Sequence, residues 1–505
     1  MILYSATALT QHFTNAALLV AVIIMSCARP SSSPNIILLM GDDHGWDETG
    51  YNGHPHLYTP TLDTIAATGL RFDRFYAAHP SCSPTRASIL TGRHPNRYGT
   101  FSPNYSIRPE EISIATLIAK AGYATAHFGK WHVGPVKAAS PTNPGAMGFD
   151  KWLSHDNFFE MDPWLSLQGA QPNQFHGESS GILVEKAMDF MRDAKLQGRP
   201  FFVVIWFGSP HEPYSGLPED LSRYAELPAS YQNHRVRVTS ATTGLPTMRR
   251  LDRVLQARYA EITAMDRAIG QLREWLSGSG MRQNTLLWYC GDNGTPGDGI
   301  ITSPFRGRKN DLYEGGIRVP SLIEWPARIT SPRHMESNAV TSDILPTLCD
   351  VLQLPLPARQ LDGISLLPFV HDPAQQRQQP IFFWRFQTEG VQNRPPYIEP
   401  TLQEGTTPLV KRMAGKFTRT FKNFHFQKIE ESMYRGPRAV IDGQFKLVID
   451  GNAAGDDNIE LFRLDRDPQE SRNLAAQHPD ITKNLHHQLQ QWQENVLGSL
   501  TGQEY

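Results

Sequence analysis

Cysteine is scarce in this chain, which has only Cys27, Cys82, Cys290 and Cys349 among 505 residues. Four so dispersed cannot form a disulfide framework, so each needs its own explanation. An excess of charge is missing too: 48 Lys and Arg nearly cancel 50 Asp and Glu, leaving a net charge of −2. Bulk electrostatics therefore recommend no nucleic acid as a partner, and any charge preference has to be local. The N-terminal apolar stretch at residues 16–25 is too short to cross a bilayer comfortably and suits a signal-peptide core. There is no internal repeat and no low-complexity segment. An apolar fraction of 40% with ten Trp argues against disorder. The length allows one large core with a smaller domain beside it.

Small residues and prolines follow the apolar stretch. Ile24-Met25-Ser26-Cys27 resembles a bacterial lipobox, which would make Cys27 the lipidated, membrane-attached first residue of the mature chain. No Lys or Arg precedes the stretch, and a plain secretory signal is the alternative. Residues 1–27 are thus expected to be a signal and 28–34 a Pro/Ser linker. The protein is expected to be exported, whether periplasmic, extracellular or lipoprotein-anchored.

From residue 36 the chain alternates short apolar runs with helical patterns. Strands are expected at 36–40, 123–128, 201–207 and 285–290. Helices are expected at 60–68, 84–91, 113–121, 180–195 and 251–276. This rhythm predicts an α/β fold, a large mixed and mostly parallel sheet sandwiched by helices, over residues 35–370. Residues 213–247 are polar and rich in Pro and Ser and are expected to be a long loop bordering the substrate. Beyond 371 the pattern shifts to strands at 381–385 and 439–449 and a closing helix at 481–496, a smaller α+β domain. Cys290 and Cys349 sit in apolar segments and read as core.

Polar clusters lie directly after the expected strands: Gly41-Asp42-Asp43-His44, Gly129-Lys130-Trp131-His132, Ser209-Pro210-His211 and Gly291-Asp292-Asn293-Gly294. Ligands of an open parallel sheet bind at the carboxyl ends of its strands, so the four clusters are expected to converge. Asp42, Asp43, Asp292 and Asn293 offer only oxygen, which suits Ca²⁺, or less well Mg²⁺, rather than zinc. Lys130, His132 and His211 would add cations and proton carriers suited to an anionic substrate.

The most specific stretch is Cys82-Ser83-Pro84-Thr85-Arg86-Ala87-Ser88, followed by Leu90-Thr91-Gly92-Arg93. It resembles the modification motif of the formylglycine-dependent sulfatases, in the alkaline phosphatase superfamily. The resemblance extends to Glu314-Gly315-Gly316-Ile317-Arg318-Val319-Pro320 and to Glu460-Leu461-Phe462-Arg463-Leu464. It implies an alkaline-phosphatase-like sheet and a sulfuric ester hydrolase. It also implies that a formylglycine-generating enzyme oxidises Cys82 during maturation. The aldehyde hydrate would offer one oxygen to attack sulfur and a second hydroxyl to expel sulfate afterwards. By the same resemblance Asp42, Asp43, Asp292 and Asn293 bind Ca²⁺, with the residue-82 oxygen completing the shell at about 2.4 Å. Arg86 would hold the diol and His132 would support it. Lys130, His211 and Lys309 would contact the sulfate and help protonate the leaving oxygen. Arg306 and Arg308 are equally basic neighbours of Lys309.

The substrate reads as a sulfated polysaccharide or its oligosaccharides. The chain looks most similar to members of the family acting on sulfated amino sugars and marine polysaccharides. Residues 155–164, with aromatic side chains beside Asp156 and Asp162, suit a sugar ring. Residues 409–438 carry eight Lys or Arg with interleaved Phe and suit a polymer of repeating negative charge. A phosphate or phosphonate ester hydrolase of the same superfamily is the alternative enzyme. A non-catalytic binder of sulfated glycans is the outcome if Cys82 stays a thiol.

Overall fold

The computed structural model describes residues 33–240, 243, 245–297, 303–409, 418–450 and 458–505. The expected signal segment with Cys27 lies outside the described residues. So do Lys411, Arg412, Lys416 and Phe417 of the basic stretch.

Four strands carry the polar clusters: β1 (Asn35–Gly41), β2 (Ala124–Lys130), β3 (Phe201–Trp206) and β4 (Thr285–Gly291). All four are buried along nearly their whole length, as strands covered on both faces should be. They form the parallel centre of a ten-stranded sheet in the order β4, β1, β3, β2, continued in parallel by Lys151–His155. Beyond β4 come Ser321–Glu324, Leu70–Phe72 and Arg333–Met335, the first of these antiparallel to β4. Trp164–Leu167 and Asn173–Gln174 close the other edge antiparallel.

Alternate side chains of β1 face two separate cores. Ile37 and Leu39 pack with Leu62 and Ile65 of α1 (Pro60–Thr68), Leu183 of α3 (Ser179–Leu196) and Ile269 of α4 (Leu251–Gly278). Ile36, Leu38 and Met40 pack with Ala87, Ile89 and Leu90 of α2 (Cys82–Thr91) on the opposite face. Each such aliphatic side chain contributes about 1.5–3 kcal/mol by leaving water. Cys290 and Cys349 lie within the second of these cores, both as free thiols.

The helix expected at 84–91 begins two residues earlier, at Cys82. Pro84 falls in its first turn, where the missing N–H would have had no helical partner. The expected loop at 213–247 is a correction: it contains a helix, Pro218–Arg223, and a hairpin of Arg235–Thr239 with Pro246–Arg250. The Pro and Ser content hid a period-two alternation, Arg235-Val236-Arg237-Val238, whose Val238 packs on Tyr214, Val254 and Ala257.

The C-terminal sheet has four antiparallel strands, Ile381–Trp384, Arg438–Asp442, Phe445–Ile449 and Ile459–Arg463. The expected single strand at 439–449 is a hairpin turning at Gly443, a turn that Asp442-Gly443 signals. One face packs on the helix Pro479–Leu500 and the other on Tyr76, Leu312 and Tyr313.

Candidate active site

Register brings the acidic pairs together. Gly41 pairs with Gly291 across β1 and β4, so Asp42 and Asp292 leave the sheet side by side. The Asp43 amide then donates to Asp292 Oδ1 at 2.9 Å, and Asn293 Nδ2 donates to Asp43 Oδ1 at 2.9 Å. Asp43 and His132 both hold positive φ, 60° and 59°, an uncommon state for residues other than Gly and one concentrated at functional sites. Gly129, at the end of β2, is required sterically. A Cβ there would lie 2.1 Å from the Trp206 carbonyl.

Helix α2 delivers Cys82 to the same edge. Cys82 is its first residue and is 2% exposed. The ligand atoms of Asp42, Cys82 and Asp292 lie within 4.8 Å of one another, as do those of Asp42, Asp43 and His211. The free N–H groups at the start of a helix favour an anion beside Cys82.

Every carboxylate here has a cation. Lys130 Nζ donates to Asp42 Oδ2 at 2.6 Å, and Lys309 Nζ lies 2.6 and 2.7 Å from the two Asp43 oxygens. Arg86 donates to Asp292 Oδ2 through Nη2 at 2.7 Å and Nε at 3.1 Å, and to the Lys130 carbonyl at 3.1 Å. It thus clamps a carboxylate and ties α2 to the end of β2. His211 Nε2 is 3.7 Å from Asp43 Oδ2, with its ring stacked on Phe158 at 4.5 Å. His132 is buried, and among the described residues neither ring nitrogen has a hydrogen-bond partner.

Burial dominates the titration of these groups. It pushes the Cys82 thiol up against the pull of Lys130 and Lys309, and raises Asp42 to about 7 despite Lys130. Burial acts on Asp43 in the same direction, but Lys309, His211 and Lys130 outweigh it and hold the carboxyl below its usual range. His132 is driven well down, by burial first and then by Lys130, Arg419 and Arg86.

The donor set fits a hard cation. Asp42 Oδ1 and Asn293 Oδ1 are buried acceptors with no hydrogen-bond partner among the described residues, an arrangement rare in proteins unless an ion or water satisfies it. With Asp43 and Asp292 they provide the oxygen-only ligands that Ca²⁺ accepts.

Several residues here escaped sequence reasoning. Arg258, buried on α4, donates to the Asp43 carbonyl at 2.6 Å, the Pro210 carbonyl at 2.7 Å and both Glu48 oxygens at 2.6 Å. It joins the loop of Asp43 to the loop of His211. An Arg on the buried face of an amphipathic helix was its one signal. Arg419 comes from the basic stretch, and its charge reaches Cys82 and His132. Asp156, expected near a sugar, is a structural anchor. Its carboxylate accepts from the amides of Val136, Thr406 and Thr407 at 2.7, 2.7 and 2.8 Å.

Carboxylates, lysines and Cys82 gathered at the carboxyl edge of a parallel sheet suit the binding of an anionic ester. The comparisons narrow the class. The sulfatase family model matches residues 34–354. Human arylsulfatase A is 32% identical over 399 residues, 71% of each chain. Mouse N-acetylgalactosamine-6-sulfatase is 30% identical over 397 residues, 70% of this chain and 69% of that one. The structure of Ps i-CgsB in complex with k-i-k-neocarrahexaose shares the fold, with a TM-score of 0.71 at 21% identity over 92% of this chain and 93% of that one. The chain belongs to the sulfatase family, and it is a sulfuric ester hydrolase.

Proposed function

We propose that the protein hydrolyses sulfate monoesters on a sulfated polysaccharide or its oligosaccharides, using residue 82 as formylglycine and a bound Ca²⁺. The observation that carries the reading is the convergence of Cys82 with Asp42 and Asp292, at the start of a helix and among Lys130, Lys309 and Arg86. Asp42, Asp43, Asp292 and Asn293 would hold the ion, whose charge would lower the pKa of the nucleophilic oxygen and polarise the sulfate. Hydrated formylglycine would supply one hydroxyl to attack sulfur and a second to expel sulfate as the aldehyde re-forms.

The side chains do the rest. Lys130 and Lys309 neutralise the sulfate oxygens in a site nearly closed to water, where each interaction gains strength. Arg86 fixes Asp292. His211, on the cleft wall, donates the proton that the leaving oxygen needs. His132, buried beside cations, is held neutral and would support the hydrated residue 82 as an uncharged hydrogen-bonding group. The carbohydrate substrate is supported by the names of the relatives and by the neocarrahexaose complex. Export, with or without a lipid on Cys27, is part of the same proposal.

The test measures sulfate release from aryl and sugar sulfates beside matched phosphate esters, while an aldehyde-specific probe reads the peptide containing residue 82. Sulfate release with a labelled aldehyde, both abolished in Cys82→Ala, is expected. A faster phosphate series, or turnover with an intact thiol, would overturn the proposal.

A further inference from the structure

The cleft that opens onto the site holds positive charge that sulfate hydrolysis does not require. It encloses about 380 Å³ and its charged lining is Asp43, Glu212, His211 and Lys309 together with Arg237 and Arg308. Both arginines are exposed, and among the described residues neither forms an ion pair.

Each is nonetheless placed by its surroundings. Arg308 lies against Gly297, where a Cβ would come within 2.5 Å of Nη1, so the glycine makes room for the guanidinium at the cleft wall. Arg237 is on the strand Arg235–Thr239. The Thr239 amide and hydroxyl of that strand donate to the Glu212 carboxylate at 3.0 and 2.9 Å. Residues two apart in a strand share a face, so the bond that holds Thr239 to the His211 loop also turns Arg237 toward that loop. Glu212 accepts from the neutral Thr239 donors and keeps its charge, but Arg237, Arg308 and Lys309 outnumber Glu212 and Asp43 along the cleft.

A sulfate monoester carries one negative charge, which Lys130, Lys309 and His211 already meet. A neutral sugar filling the cleft would desolvate two guanidinium groups and return nothing to them. A second acid would pair with them in the forked geometry that arginine offers to carboxylate and sulfate alike. We propose that Arg237 and Arg308 form an anion subsite for a second acidic group on the substrate, either a carboxylate or another sulfate. The proposal rests on the reading of the centre as a sulfate ester hydrolase.

The experiment compares three forms of one sulfated sugar: singly sulfated, doubly sulfated, and singly sulfated with a carboxylate. The readout is the ratio of kcat/KM between each doubly acidic form and the singly sulfated one. That ratio should be about tenfold for at least one of them at low salt, and should shrink as salt rises. Preference for one arm identifies the group. Arg237→Gln and Arg308→Gln should each lower the ratio severalfold, and together bring it to about one. A wild-type ratio near one, or a ratio that survives the double substitution, overturns the subsite. The same three sugars are titrated against Cys82→Ala protein, with and without the arginine changes. Turnover without preference sinks the subsite and leaves the hydrolase. Binding preference without turnover in the wild type sinks the hydrolase and leaves the subsite.

Discussion

Arg258 is a severe test of how the site is held, because it touches no part of a substrate. Its guanidinium is buried and makes two bonds of 2.6 Å to Glu48, with further bonds to the carbonyls of Asp43 and Pro210 and to the Tyr214 hydroxyl at 3.1 Å. Substituting Arg258→Met leaves Glu48 charged, buried and close to Asp47. Breaking a buried pair by removing one partner costs about 3–5 kcal/mol. The loops of Asp43 and His211 also lose their shared tie. A displacement of roughly 1 Å at reacting groups lowers turnover about a hundredfold. Urea denaturation followed by tryptophan fluorescence reads the first effect and sulfate release reads the second. The double variant Glu48→Gln with Arg258→Met removes the stranded charge. It should regain most of the stability but little of the activity, since the two carbonyls remain untied. The reasoning fails if Arg258→Met alone keeps its urea midpoint and its kcat/KM within twofold of the wild type. It fails equally if the double variant is no more stable than the single one.

Asp292→Asn should weaken calcium binding and strand Arg86, at about 3–5 kcal/mol, read by calcium titration and by the denaturation midpoint in chelator. In the wild type, calcium at a hundredfold over its Kd should add about 2.7 kcal/mol of stability that a chelator removes. His94 supplies a pH dependence: burial, with help from Arg97, lowers it from 6.5 to about 3 against the pull of Asp362. The unfolded histidine gains a proton as pH falls below 6.5 while the folded one stays neutral. Its contribution is therefore complete above pH 6.5 and is lost progressively toward pH 3, on the order of 4–5 kcal/mol in all. His94→Gln should flatten the fall of stability over that window by up to one proton, and identical slopes would refute the assignment.

What could be read in advance follows from how each residue reports its place. Asp42, Lys130, His211 and Asp292 stand directly after apolar runs, and the carboxyl edge of a parallel sheet is where its ligands gather, so a linear rule reaches them. Arg258 obeys no such rule. It lies mid-helix, and only Glu48, 210 positions away, explains it. Arg419 is one of eight like residues in a run that reads as a polymer-binding surface, and nothing in the run sets it apart as the one whose charge reaches Cys82. The hairpin that carries Arg237 was masked by flanking Pro and Ser, and the carboxylate that fixes it, Glu212, belongs to a different loop. Local patterns thus revealed the edge of the sheet, while the side chains that cross between its loops became visible only in three dimensions.

If residue 82 becomes formylglycine as proposed, the burial of α2 constrains when that can happen. All ten residues of the helix are buried, including Pro84 and Arg86 of the modification motif. Their polar groups are satisfied internally: Ser83 Oγ donates to the His132 carbonyl at 2.5 Å, Thr85 Oγ1 to the His79 carbonyl at 2.7 Å, and Arg86 to Asp292. An enzyme reading Cys82, Pro84 and Arg86 in sequence would need that helix extended and free of β2 and β4, which is an unfolded chain. On the proposed formylglycine reading, modification would therefore precede folding. Protein made without the modifying enzyme, folded and then mixed with it, should keep the Cys82 thiol, whereas a peptide spanning residues 80–94 should be converted. Efficient conversion of the folded protein would show that α2 leaves its place at little cost, and the packing described for it would be wrong.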